Sequence, residues 1–142
     1  MHSKAIRYSV LMPTIQFDVL VPDDAAGKQV EEAFASAVEI LVRHERLTSG
    51  SVTRVAEPDV PEETTAQLRR VYEEERGVEP GDAAVQRYLI ESEGAGSVNQ
   101  LAMGLSRVLT PKAELPKDPV ALERQMDFEL PAVYPWAVEV LR

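Results

Sequence analysis

The fold is decided by residues 15–41, which read IQFDVLVPDDAAGKQVEEAFASAVEIL. At the start of this stretch the apolar residues alternate with polar ones, and this period of two predicts a half-buried strand. Asp23 and Asp24 then supply a turn and an N-cap for a helix. After them, the spacing of the apolar residues becomes helical, with one face formed by Val30, Phe34, Ala37, Val38 and Leu41. We therefore predict a strand followed by a long helix of roughly residues 24–48, with Gly50 as its stop.

The sequence on both sides of residues 15–41 contains further strand patterns and helix caps. Apolar residues alternate with polar ones in four further predicted strands, at 6–10, 51–57, 126–130 and 136–140. A second helix is predicted to start at the cap Asp59 and to end at Gly77, and a third to start at the capping box of Ser97 and Gln100. The third helix should end before the proline-rich connection 111–119. A helical turn could follow at 119–124. Residues 84–93 fit either a strand or a helix, and the strand is favoured.

Strands near both termini with helices between them predict an α+β fold. The expected arrangement is a ferredoxin-like two-layer sandwich, with a mixed or antiparallel sheet and helices mainly on one face. In such a sheet the N- and C-terminal strands could pair with each other. The chain has 142 residues and neither an internal repeat nor a linker, so residues 1–142 are expected to form a single domain.

Composition excludes several classes of function. The formal net charge is −9, which disfavours nonspecific binding to nucleic acid or to an anionic membrane. The chain contains no cysteine, so disulfides, thiol nucleophiles and cysteine-ligated metals are excluded. Neither a signal peptide nor a membrane-spanning segment is recognisable, and a cytoplasmic protein is the expectation.

Negative charge is concentrated in the middle of the chain. Residues 57–93 contain eleven acidic and four basic side chains. Glu73, Glu74 and Glu75 fall at the predicted end of the second helix, where the helix dipole disfavours acidic side chains. This acidic helix end is either a solvated surface or a binding site for a basic partner or a cation.

No motif for a cofactor or a metal is complete. The turn formed by residues 94–97 opens a helix, but it lacks the third glycine of a dinucleotide fingerprint and the Lys-Ser/Thr pair of a P-loop. His2 and His44 are isolated, so neither a histidine metal site nor a Ser-His-Asp triad is predicted. We expect no cofactor and no metal.

Residues 12–19, MPTIQFDV, followed by a long helix, resemble the opening of the tautomerase superfamily. The catalytic base of that superfamily is the amine of an N-terminal proline. In this chain Pro13 is internal, so its nitrogen is an amide that has no basicity. The resemblance implies a catalytic proline only for a chain that starts at Met12 and loses that methionine.

These features favour a non-enzymatic domain that associates with protein, as a homo-oligomer or with a protein partner. The residues predicted to bind the partner are Glu73, Glu74, Glu75, Tyr134 and Trp136. One alternative is a small-molecule enzyme or ligand binder with a pocket between sheet and helices. Its proton-transfer group would be chosen from Tyr8, Tyr88, Tyr134, Asp18 and Glu129. A second alternative is an acidic mimic that occupies a basic surface with the carboxylates of residues 57–93.

Overall fold

The computed structural model describes residues 13–109 and 134–141, which form an antiparallel sheet of four strands and three helices. In chain order the elements are β1 (Thr14–Val21), α1 (Asp24–Arg43), β2 (Ser49–Val55), α2 (Glu62–Arg76), β3 (Ala84–Glu93), α3 (Val98–Ser106) and β4 (Trp136–Leu141). The predictions for residues 6–10, 111–119, 119–124 and 126–130 lie outside the described residues.

The strands lie in the order β2-β3-β1-β4, and every neighbouring pair is antiparallel. The register places Phe17 opposite Tyr88 on one side and opposite Val138 on the other. This arrangement confirms the α+β class and the antiparallel sheet. It also confirms that the strand after Pro13 pairs with the C-terminal strand, since β1 and β4 are neighbours.

Both faces of the sheet carry helices. On the first face, α1 and α3 cover the main core, in which the rings of Phe17 and Phe34 lie 4.9 Å apart. On the second face, α2 buries Leu68 and Tyr72 against Leu20 of β1. The expectation that helices lie mainly on one face therefore holds for α1 and α3 but not for α2, because the alternation of β1 breaks down where Leu20 follows Val19.

Helix α1 begins where the sequence predicts and ends earlier. The Asp23 carboxylate accepts a hydrogen bond of 2.8 Å from the Ala26 amide, as expected of an N-cap. The helix ends at Arg43 rather than near residue 48, since Glu45 takes a positive φ of 62° and turns the chain. Gly50 consequently lies in β2 and does not stop the helix.

Two other predicted boundaries differ from the structure: the strand predicted at 51–57 is β2 at Ser49–Val55, and the start of α2 differs as well. Ser97 caps α3, and Gly77 ends α2 with a positive φ of 71°. Residues 84–93 form a strand. The prediction that Asp59 caps α2 is wrong, because Pro61 occupies the N-cap position and makes no side-chain cap. The Asp59 carbonyl accepts a hydrogen bond from Arg87 instead.

Candidate functional site

The sheet ends in two edge strands, β2 and β4, neither of which has a second neighbour within residues 13–109 and 134–141. The Leu20 amide donates a hydrogen bond of 3.0 Å to the Pro135 carbonyl, so residue 135 turns its backbone groups toward β1. Because these groups alternate along a strand, those of Val138 and Val140 point away from the sheet. These outward groups can accept a further strand.

A groove runs between this edge and helix α2. One stripe of the helix lines it at helical spacing, and the start of β4 forms the opposite wall. The groove has a volume of about 240 Å³. Its lining residues are Thr64, Gln67, Leu68, Val71, Glu75, Tyr134, Pro135, Trp136 and Ala137. We call this site the α2–β4 groove.

Aromatic side chains fix the floor of the α2–β4 groove. Tyr134 is buried, and the guanidinium of Arg76 lies 4.5 Å from the centre of the Tyr72 ring and 5.5 Å from that of Tyr134. Burial raises the pKa of Tyr134, against a smaller opposing effect of the Arg76 charge. The Trp136 ring makes an edge contact with Phe17 at 5.9 Å. The indole thus packs on the main core, and residue 136 borders the groove from the start of β4.

Of the five predicted partner-binding residues, the fold brings three together. Glu75, Tyr134 and Trp136 line the α2–β4 groove, whereas Glu73 and Glu74 are exposed on the same helix but outside it. Glu73 instead lines a separate shallow cleft with Arg69 and Arg70.

Neither arginine of that cleft forms an ion pair with the acidic side chain one turn further along the helix. Arg69 donates hydrogen bonds to the carbonyls of Ala83 and Gly81, at 3.0 and 3.3 Å. Within the described residues, no ion pair joins Arg69 to Glu73 or Arg70 to Glu74. The charge at this end of α2 is therefore not balanced by these arginines.

The second edge strand, β2, borders a larger groove beneath helix α1, with a volume of about 740 Å³. One stripe of α1 again forms a wall. The lining residues are Glu31, Ala35, Val38, Glu39, Val42, Arg43 and Thr48–Val52. We call this site the α1–β2 groove.

A polar cluster that the sequence analysis missed closes one end of the α1–β2 groove. The guanidinium of Arg54 donates to Glu31 at 3.1 Å, to Asp24 at 2.9 Å and to Gln86 at 2.8 Å. The hydrogen bond from Arg54 is the main cause of a lowered pKa at Asp24, and Gln86 adds to it. The reciprocal bond raises the pKa of Arg54. One signal for this cluster was available in the sequence. Arg54 follows Val52 by two positions in a strand, so the two side chains lie on the same, apolar face of the sheet.

Two of the five proton-transfer candidates of the enzyme alternative, Asp18 and Tyr88, are hydrogen-bonded to structural partners. Asp18 is only 6% exposed, and its two oxygens accept from Arg87 at 2.8 and 3.2 Å. The Tyr88 hydroxyl donates to the Gly27 carbonyl at 2.7 Å, and burial raises the pKa of Tyr88. Tyr8 and Glu129 lie outside the described residues.

No three His, Asp or Glu side chains in residues 13–109 and 134–141 are grouped so that they could hold a metal ion. All eleven carboxylates of residues 57–93 are exposed, but they are spread over α2, the adjoining loops and β3. No helix in the described part of the chain combines the length and apolar character needed to cross a membrane.

Comparison of the chain with protein families, with curated proteins and with solved structures finds no match. The resemblance to the tautomerase superfamily at residues 12–19 therefore has no support from a matching family. Within the described residues, Pro13 lies directly before β1, and its carbonyl accepts a hydrogen bond of 3.4 Å from the Ser92 amide.

Proposed function

We propose that this chain is a ferredoxin-like domain that binds another protein at the edge of β4 and in the α2–β4 groove. The strand order, read as β4-β1-β3-β2, supports the ferredoxin-like assignment, as does the antiparallel pairing of all neighbours. In this assignment α1 connects β1 to β2 and α3 lies between β3 and β4, while α2 is an addition between β2 and β3.

The observation that carries the proposal is a groove between a helix and an open strand edge. A protein segment that adds as a strand to β4 gains main-chain hydrogen bonds from Val138 and Val140. Its alternate side chains then point toward the groove wall formed by α2. Val138 and Leu141 are 42% and 37% exposed, so apolar surface is also available along the strand.

The composition of the groove fits the centre of a protein interface. Tyr134 and Trp136 are residue types that contribute strongly to binding when they lie in a well-packed pocket. Each is already held by an aromatic or cationic neighbour, so little side-chain entropy is lost on binding.

The negative charge of the α2–β4 groove indicates which kind of partner binds there. Glu75 lines the groove, and the exposed Glu73 and Glu74 lie in the same part of α2. A second copy docked at this groove would bring the same carboxylates against it and be repelled here. The partner is therefore a different protein, which presents an extended segment with lysine or arginine beside apolar residues.

The test is a selection of random peptides of roughly ten residues against the intact protein. The selected segments should combine basic and apolar residues, and their binding should be weakened at least tenfold by Glu75→Lys. Glu79→Lys is the matched control, because Glu79 is equally acidic and exposed but lies outside the groove. Trp136 is the only tryptophan, so its fluorescence reports directly on occupancy.

A second pair of variants tests the strand edge. Val138→Pro removes an outward amide without removing a hydrogen bond to β1, and it should abolish binding of the selected segments. Val138→Thr keeps the amide and should bind normally. A selection that enriches no sequence, or segments that bind Glu75→Lys and Val138→Pro as well as the wild type, would contradict the proposed function.

A further inference from the structure

We infer that the α1–β2 groove is a self-association surface, on which a second copy of this chain packs about a two-fold axis through Ser51. In this dimer the two β2 strands pair antiparallel and the two α1 helices pack side by side. The surface is separate from the α2–β4 groove and leaves it free, since β2 and β4 are opposite edges of the sheet.

Among the residues that the structure describes, β2 has no strand on its outer side, and its outward backbone groups follow the pattern that such pairing needs. The Ser92 amide donates to Pro13, so Ser92 turns toward β1 and the neighbouring residues of β3 turn toward β2. Ser51 pairs with Glu91 and therefore faces β3. The groups of Gly50, Val52 and Arg54 then point away from the sheet. Residues 48–53 contain no charged side chain and no proline, so nothing blunts this edge.

Charge favours a second copy as the occupant. The α1 wall carries Glu31 at one end and Arg43 at the other, twelve residues or about 18 Å apart along the helix, and Glu39 pairs with Arg43 at 3.3 Å on the same wall. When a copy is turned end for end, each Glu31 faces the Arg43 of the other copy. Arg43 is exposed and Glu31 keeps 38% of its side chain accessible, so both can form this contact. Exposed Ala35, near the middle of the wall, lets the two helices approach closely.

Helix and strand point independently to one axis. Glu31 and Arg43 are equally distant from residue 37 of α1. Its neighbour Val38 lies directly over Gly50, because a Cβ added at Gly50 would come within 2.7 Å of Val38 Cγ1. The axis thus passes near residues 50 and 51. If the two-fold axis passes through Ser51, the outward backbone groups of Gly50 face those of Val52 in the other copy. An axis through Ser51 also pairs more residues of β2 than an axis through Gly50 does.

The absence of cysteine makes this register directly testable. On the axis, the two Cα atoms of residue 51 lie about 4.5 Å apart, within the range that a disulfide spans. Ser51→Cys should therefore form a cross-linked dimer on mild oxidation. Ser49→Cys is the matched control: it is an exposed serine on the same strand, but its two copies would be about 14 Å apart. Its cross-linking should be at least tenfold slower.

Sedimentation equilibrium of the full chain completes the test. The wild type should be a dimer, and Arg43→Glu should raise the dissociation constant about tenfold because two attractive contacts become repulsive. A monomeric wild type overturns the inference. So does a dimer in which Ser51→Cys cross-links no faster than Ser49→Cys, or one that Arg43→Glu leaves unchanged. None of these outcomes depends on the α2–β4 groove.

Discussion

At the scale of single residues, the ion pair of Asp18 and Arg87 is the main charged contact of the second sheet face. The two residues are opposite each other on β1 and β3, and the guanidinium makes two hydrogen bonds to the carboxylate. Asp18 raises the pKa of Arg87 through these bonds. Because Asp18 is almost fully buried, its charge depends on Arg87 for compensation.

Arg87→Met should destabilise the protein by about 2 kcal/mol, since it leaves a buried carboxylate without a counterion. Urea unfolding measures the loss. The double variant Asp18→Ala, Arg87→Met should recover part of it, because the uncompensated charge is then gone. Equal unfolding free energies for the single and double variants would contradict this role of Arg87.

Tyr88 should make stability depend on alkaline pH. Its pKa is raised by burial, so the folded state keeps the proton after unfolded tyrosine loses it at about pH 10. The stabilisation is complete below that pH, and it is lost at up to about 1.4 kcal/mol per pH unit as the pH rises further. In denaturant titrations Tyr88→Phe should show a shallower decline. Identical slopes would show that Tyr88 ionises in the folded protein.

At the scale of elements, local signals predict most of the fold. Asp23, Ser97 and Gly77 lie where the sequence places caps and stops, because capping depends on near neighbours in the chain. Residues 84–93 were ambiguous because β3 is central and buries residues of both faces, which obscures the period of two. The early end of α1 at Arg43 follows from the turn at Glu45, which no cap residue announces.

The candidate site is less predictable, because it depends on tertiary contacts. Helical period explains why Glu75 reaches the α2–β4 groove while its neighbours Glu73 and Glu74 do not. That Tyr134 and Trp136 meet α2 depends on the position of β4 beside β1, which no local pattern encodes. The contacts of Arg54 likewise span 23 to 32 positions of sequence.

Two glycines in helical surroundings should respond in opposite ways to alanine. Gly77 ends α2 with a positive φ, so Gly77→Ala should cost about 1 kcal/mol. Gly104 lies within α3, and a Cβ there meets no atom within 4 Å. Gly104→Ala should therefore stabilise the protein by roughly 0.5–1 kcal/mol. Thermal unfolding of the two variants measures both effects. Shifts of the same sign would contradict the assigned helix boundaries.

At the scale of the whole molecule, the sheet formed by residues 13–109 and 134–141 ends in two edges of different character. The β4 edge borders acidic and aromatic side chains, and the β2 edge borders a nearly uncharged strand with an acid and a base at the ends of its groove. The first suits a basic partner and the second suits another copy of the chain. An excess of negative charge should then affect the two associations differently.

Salt concentration should affect binding at the β4 edge and self-association at the β2 edge to different extents. Raising the ionic strength from about 0.05 M to about 0.5 M shortens the Debye length and screens attraction to a basic segment. We expect the association rate of that segment to fall at least tenfold. Self-association should change much less, because backbone hydrogen bonds and apolar contacts contribute most of it. Stopped-flow fluorescence of Trp136 measures the association rate of the segment, and sedimentation measures self-association. A salt-independent rate at the β4 edge would contradict the charge-based choice of partner.

The edge of β4 is tested most directly by residue-resolved amide hydrogen exchange of the intact protein, with and without a selected basic segment. In the free protein the outward amides of Val138 and Val140 should exchange rapidly, while those of Ala137 and Glu139, bonded to β1, exchange slowly. Adding the segment should slow Val138 and Val140 at least tenfold and leave Ala137 and Glu139 nearly unchanged. If Val138 and Val140 exchange equally fast with the segment bound, the protein does not bind its partner by strand addition at this edge.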